Sequence, residues 1–471
     1  FAQEKLLKLH MEINIKILIT TISILFLSTS IFAQTDPTKF PLVDRSDIHY
    51  LGSFFVPEED GNGNPISYGG FALGYNPVNN SLFLGCHDWY DLVSEVSIPP
   101  MNGTATILQT CTDIYEGNPI DDDENGLHPA GNLVYNGRLI STEIAWYDAD
   151  YSQLNTHGVS SSLDLSDANN FDGWYSFNGV TAFPRALAGY MTLIPNEWHV
   201  LLGGPALTGQ AAVSIIGSSS DGPSATVFDP DEVGNSANLH GTTLVFYPID
   251  EFRHPDFEAK GSMVAGMAFP NGTRSVLFFG TRAQHPYCYG TNEDCPYSCF
   301  IHKGPHNEFK HAIWAYDAND FLRVKNSEVE PWEVMPYATW EFDDITTGNC
   351  ASTRFGGATF DQERGILYVV ESFGDTPEVH AFQISTPSHS DEIFAENGFK
   401  LFPNPFTEGS LNIEIEQPAK MIIGNLLGQK LTEASLESGA NMVELDFLPP
   451  GLYTITVQNF KGIVSQKFVK H

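Results

Sequence analysis

The sequence is poor in positive charge: 23 lysines and arginines stand against 58 aspartates and glutamates, a formal net charge of -35. A field of that sign repels DNA, RNA and anionic membranes, so no nucleic-acid partner is expected. Several signatures are missing. There is no G-x-S-x-G elbow, phosphate-binding loop, dinucleotide fingerprint or H-E-x-x-H pair. Those absences argue against serine hydrolase, nucleotide and zincin chemistry. Beyond residue 34 no run of about 18 apolar residues occurs, so no transmembrane anchor is expected in the mature chain. Cysteine is scarce, with six in 471 residues (Cys86, Cys111, Cys288, Cys295, Cys299 and Cys350). In an oxidising compartment they are compatible with disulfides, and every pairing is open at this level.

What is present begins with an export signal. Residues 1–10 precede the first methionine and read as an upstream lead outside the fold. From Met11 the chain reads MEINIKILITTISILFLSTSIFAQ. One lysine, an apolar stretch and small residues up to Ala33 define a secretory signal peptide over residues 11–33, cleaved after Ala33. An even longer-range pattern follows. The stretch 69–98 reads apolar strand, polar turn, apolar strand, a loop CHDWYD and a third strand, and variants begin near Gly131, Gly189, Gly266 and Gly357. Five copies of a hairpin-plus-strand unit predict an all-β fold, a five-bladed β-propeller over residues 45–385. Blade three is expected to contain strands at 187–194, 198–202, 212–216 and 243–247. The isolated strand HYLGSFFV (49–56) is assigned to complete the fifth blade and close the ring without leaving an edge.

After a polar linker at 386–393 comes a smaller unit at 394–471. Its short alternating strands, separated by Gly, Pro and Asn turns, predict an immunoglobulin-like β-sandwich. LFPNPF (401–406), LLGQK (426–430), LPPGLYTITV (448–457) and the closing QKFVK (466–470) resemble the C-terminal sorting domain of type IX secretion system cargo of Bacteroidota. The resemblance implies delivery through the periplasm and across the outer membrane by the type IX machinery. The cargo is then released or held at the cell surface.

Propeller geometry gathers the start of each inner strand and the end of the next one on one rim. Those positions carry His87, Asp88, Trp89, His128, Glu143, Arg185, Arg282, His285, Tyr287, Arg354 and Glu371. Imidazoles beside carboxylates and guanidinium groups suit acid/base work and charge stabilisation. His128 or His285 is assigned as base and Tyr287 or Glu143 as acid. Arg185, Arg282 and Arg354 are assigned to a substrate carboxylate, with His87, Asp88, Trp89 and Glu371 as further binding residues. The opposite rim is turn chemistry. Most tryptophans, Trp146 and Trp198 among them, are assigned to the core between blades.

Asp121, Asp123 and Asn125 offer alternating oxygen ligands before a turn glycine, a partial match to a calcium loop without its closing glutamate. Asp60 to Asn64 is a weaker echo. The insertion at 282–311 is expected to be a disulfide-stapled loop on the same rim. No cofactor is required. The functional expectation is an exported propeller that binds a polysaccharide at the histidine- and arginine-rich rim, with lyase or hydrolase chemistry as its catalytic form. The alternative is a non-catalytic adhesin or protein-interaction scaffold.

Overall fold

The computed structural model describes residues 36–120, 127–249, 254–257, 261–284, 288–290, 304–306, 309–342, 354–372, 374–386, 399–406, 409–415, 417–425, 429–459 and 462–470. The chain divides into two compact units, Phe1–Thr386 and Pro387–His471.

The first unit is a five-bladed β-propeller. Blade one contains Gly74–Asn76, Ser81–Gly85, Val93–Ser97 and Ile107–Thr112. Blade two contains Leu127–Tyr135, Arg138–Ala145, His157–Ser160 and Phe171–Tyr175. Blade three orders Met191–Leu193, Ala206–Thr208, Ala225–Phe228 and Leu239–Val245, with Phe177–Asn178 added in parallel at its outer edge. Blade four contains Met263–Ala268, Ser275–Ala283, Phe309–Asp317 and Ala338–Phe342. Blade five has Arg354–Asp361, Ile366–Ser372 and Glu378–Ile384, and its outer strand is the early Ile48–Phe55. That strand pairs antiparallel with Glu378–Ile384. The inner strands of neighbouring blades touch all the way round, blade five against blade one included.

Period-two alternation holds the ring together. On Ser275–Ala283, Val276 and Phe278 face the core shared with blade three, while Leu277 and Phe279 face the core shared with blade five. Because successive side chains point to opposite faces, a central blade strand with no polar interruption supplies two interfaces at once. Comparable clusters fill the junctions of blades one and two, two and three, and five and one. The recurring glycines have a steric cause. A Cβ on Gly131 would lie 2.1 Å from the carbonyl oxygen of Gly189, and one on Gly357 would lie 2.8 Å from that of Gly70. There the inner strand of one blade meets the backbone leading into the inner strand of the next, an approach that only glycine permits.

Blade three departs from the expected strands. Residues 198–202 are helical: Asn196–Trp198 is a 3-10 turn running into the short α-helix His199–Leu202, closed by Gly203 at φ 94°. A short apolar run cannot distinguish a buried helix from a strand by periodicity, and the glycine C-cap decided it. Residues 212–216 form no strand; the blade's second and third strands are Ala206–Thr208 and Ala225–Phe228. Trp198 is fully buried and donates its indole N–H to the Thr273 carbonyl at 3.1 Å.

The second unit packs a three-stranded sheet (Phe399–Phe402, Ser410–Ile415, Gly439–Glu444) on a four-stranded one (Lys430–Leu436, Ala419–Asn425, Gly451–Asn459, Gly462–Lys470). Its core includes Phe399, Leu411, Ile413, Met421, Ile423, Ile455 and Phe468. The first and last of its sequence motifs meet. Asn404 Oδ1 accepts from the Val469 N–H at 3.0 Å, and Phe406 packs on Phe468 with ring centroids 5.9 Å apart. Lys470 is buried and donates to the Leu445 and Asp446 carbonyls.

Candidate functional site

The loop after the second strand of blade one brings His87, Asp88 and Trp89 to the start of blade two's inner strand. His128 Nδ1 lies 3.0 Å from Asp88 Oδ1 and 2.8 Å from the Asp88 carbonyl oxygen. Burial alone would lower the His128 pKa, but the hydrogen bonds and charge of Asp88 outweigh it and raise the value above the ordinary histidine range. His87 turns the loop, its Nδ1 accepting the Trp89 N–H at 3.1 Å, and its ring lies against those of Trp89, Tyr90 and Tyr68. The disulfide Cys86–Cys111 fastens the root of this loop to the outer strand of the same blade. Cys288 is also disulfide-bonded.

Between blades one and two lies a cavity of about 330 Å³ whose lining includes Trp89, Tyr90, Asp91, Asp113, Tyr115 and Glu143. Trp89 is 75% exposed at its lip, whereas Glu143 and Tyr115 are buried in its wall. Glu143 Oε2 accepts the Ile120 N–H at 3.2 Å. Asp113 accepts the Tyr115 and Gly117 N–H groups, which shapes the loop forming the far wall. The Tyr115 hydroxyl is buried without a hydrogen-bond partner. Its pKa stands well above the ordinary tyrosine value, because of burial first and then the neighbouring Glu143, Asp91 and Asp113 carboxylates. The phenol is therefore a neutral donor facing acceptor-rich walls. Such a cavity can hold a group that both donates and accepts hydrogen bonds, with an aromatic face beside it.

Trp146 corrects the assignment of tryptophans to the core. It is 40% exposed, and its ring meets His128 edge-on at 5.4 Å. With Trp89, Tyr90, Tyr147 and Tyr151 it forms an exposed aromatic set on the loops of blades one and two. Sequence alone did not show this, because strand periodicity stops at residue 145 and says nothing about the loop beyond.

The arginines are placed differently from the expected carboxylate clamp. Arg185 is 1% exposed and donates from Nε to the Ala145 carbonyl at 2.7 Å, from one terminal nitrogen to the Trp146 carbonyl at 2.9 Å, and from the other to the Ser219 hydroxyl. Burial lowers its pKa to about 10, with the Asp148 charge opposing. It is a tie beneath the Trp146 loop. Arg282 is engaged by Asp256 at 2.8 Å and Glu341 at 3.0 Å. Glu371 faces His311 and His380 in blades four and five. His285, Tyr287, Asp121, Asp123, Asn125 and the side chain of Arg354 lie outside the described residues. The Asp60 carboxylate is filled by protein donors, the N–H groups of Asn62, Asn64 and Cys111 and the Asn64 amide, at 2.8 to 3.1 Å.

A larger groove of about 860 Å³ opens near the hairpin turn of blade one, on the opposite rim, lined among others by Val78, Glu95, Leu108 and Gln109. Its one buried carboxylate, Glu95, already accepts from Asn76, Asn79, Ser81 and Gln109. The cavity between blades one and two therefore combines more chemical capacity with less volume.

The molecule is thus a β-propeller carrying a separate β-sandwich. Residues 400–471 match the family described as the secretion system C-terminal sorting domain. This second unit is a type IX sorting domain, recognised by the type IX machinery, and the protein goes through the outer membrane to the cell surface or extracellular space. No helix of the described residues is long and apolar enough to cross a membrane. No curated protein matches the chain in sequence. Among solved structures, an exo-1,5-alpha-L-arabinanase from a bovine ruminal metagenomic library is similar at 12% identity and TM-score 0.37, over 67% of this chain and 92% of that one. An endo-1,5-alpha-L-arabinanase from Thermotoga petrophila RKU-1 is similar at 10% identity and TM-score 0.34, over 86% of this chain and 92% of that one. A luciferin-regenerating enzyme is similar at 7% identity and TM-score 0.31, over 70% of this chain and 95% of that one. Likenesses this distant supply neither an activity nor a substrate for this chain.

Proposed function

We propose that this exported propeller binds a neutral polysaccharide at the mouth formed by blades one and two. The observation that carries the reading is the exposed indole of Trp89 at the lip of a cavity walled by Asp91, Asp113 and Glu143. Sugar rings present an apolar face that stacks on an aromatic ring, and hydroxyls that donate to carboxylates. A neutral glycan is favoured over an acidic one. Arg185 and Arg282 are engaged internally, and a net charge of -35 repels polyanions.

The test is affinity electrophoresis and calorimetry of the purified protein against neutral and acidic polysaccharides, with Trp89→Ala alongside. Binding of a neutral polysaccharide that falls at least about ten-fold in the variant supports the reading, the size expected when an aromatic contact worth more than about 1.4 kcal/mol is lost. Binding unchanged by Trp89→Ala, or confined to acidic polymers, overturns it. Reducing-sugar or unsaturated-product release in the same incubations separates a degrading enzyme from an adhesin.

A further inference from the structure

Blade five contains a second constellation. Glu371 and Glu378 are direct partners in the antiparallel pair of its second and third strands, and His380 follows Glu378 by two residues. Directly opposed residues and residues two apart share one face of a sheet, so the register stacks two carboxylates and an imidazole together. One ligand atom from each of the three lies within 4.8 Å of the other two. His380 Nε2 is 3.6 Å from Glu371 Oε2, and His311 Nε2, from blade four, is 3.8 Å from Glu371 Oε1.

This is an unfavourable arrangement for a protein without a cation. Like charges directly across a strand pair repel, and Glu371 is 8% exposed. Among the described residues no lysine or arginine pairs with Glu371 or Glu378. His380 is 3% exposed, and its Nε2 has no hydrogen-bond partner; the same holds for Glu371 Oε1. His380 Nε2 points at the other Glu371 oxygen, Oε2, at 3.6 Å, too far for a hydrogen bond. Around them the other valences are already filled in the manner of a metal site. His380 Nδ1 meets the Tyr50 hydroxyl at 2.9 Å, an arrangement that leaves Nε2 as a bare lone pair when Nδ1 carries the proton. Ser53 donates to Glu378 Oε1. His311 is held by stacking on Phe355, ring centroids 3.9 Å apart.

We propose that Glu371, Glu378 and His380 bind a divalent transition metal, zinc being the best chemical fit, with solvent completing the tetrahedron. One imidazole with two carboxylates suits zinc, whereas calcium takes six to eight oxygens. Tyr50 and Ser53 belong to the early strand that completes blade five. The ion would therefore bridge the blade and, through their second contacts, clamp the strand that closes the ring.

The test uses the full secreted protein stripped with a chelator and dialysed. Zinc is added and followed by calorimetry and thermal unfolding, with calcium in parallel and cobalt as a spectroscopic probe. The expected result is one zinc per chain, a rise in melting temperature of several degrees, and a tetrahedral cobalt spectrum. Glu371→Gln removes the repulsion without changing shape, so it is expected to melt no lower than the stripped wild type while binding zinc at least ten-fold more weakly. Glu378→Gln is the second variant, at a less buried position, and is expected to lose zinc in the same way. Absence of zinc binding by the wild type, binding unchanged in both variants, or an equal response to calcium overturns the proposal.

Discussion

The imidazole Nδ1 of His128 stands 3.0 Å from the Asp88 carboxylate, joining the inner strand of blade two to the loop that carries Trp89. Asp88 raises the His128 pKa, so the pair's contribution to stability is full below the ordinary histidine value and disappears as pH rises through the raised one. Asp88→Asn is expected to lower the imidazole pKa, read directly by an NMR titration of the ring protons. A pKa unmoved by the substitution would show that the carboxylate does not set it.

His157 has the opposite sign. It is fully buried between the Thr156 and Thr208 hydroxyls, at 2.9 and 3.1 Å, and burial lowers its pKa from 6.5 to about 3. The unfolded chain takes up a proton that the folded one refuses, so stability is present above 6.5 and lost as pH falls toward 3. The slope it contributes approaches about 1.4 kcal/mol per pH unit. In His157→Gln, which stays neutral, denaturant unfolding between about pH 6 and pH 4 is expected to show a shallower loss. An identical slope in the two proteins would place the acid sensitivity elsewhere.

Arg185 is a structural tie. Arg185→Met keeps the apolar length of the side chain and leaves the Ala145 and Trp146 carbonyls and the Ser219 hydroxyl without their donor. At about 1–3 kcal/mol for each buried polar group left unpaired, the expected loss exceeds about 3 kcal/mol in chemical unfolding. A variant of undiminished stability would return Arg185 to the list of ligand-binding residues.

The architecture was legible because it rests on repetition. Five glycine-led inner strands, and an early strand with no partner of its own, were enough to read a closed ring. The sorting domain was legible from four ordered motifs, two of which the fold packs together through Asn404, Phe406 and Phe468. The placement of the rim residues was less legible. Rim position does not tell whether a side chain points at solvent or into a loop, so Arg185 and Arg282 looked available when both are engaged. Tyr115 escaped notice, and Trp146 was assigned to the core, because loop burial follows from tertiary packing, not periodicity. The Glu371, Glu378 and His380 group had a sequence trace in the E-x6-E-x-H spacing, but only the strand register shows that the two glutamates face each other.

The most direct measurement is localisation of a bound oligosaccharide in a crystal of the secreted protein, taken from whichever neutral polysaccharide it binds in solution. The expected result is a sugar ring stacked on Trp89 with hydroxyls directed at Glu143 and Asp113. A sugar seated instead in the opposite groove, against Leu108 and Gln109, would contradict the assignment of function to the mouth of blades one and two.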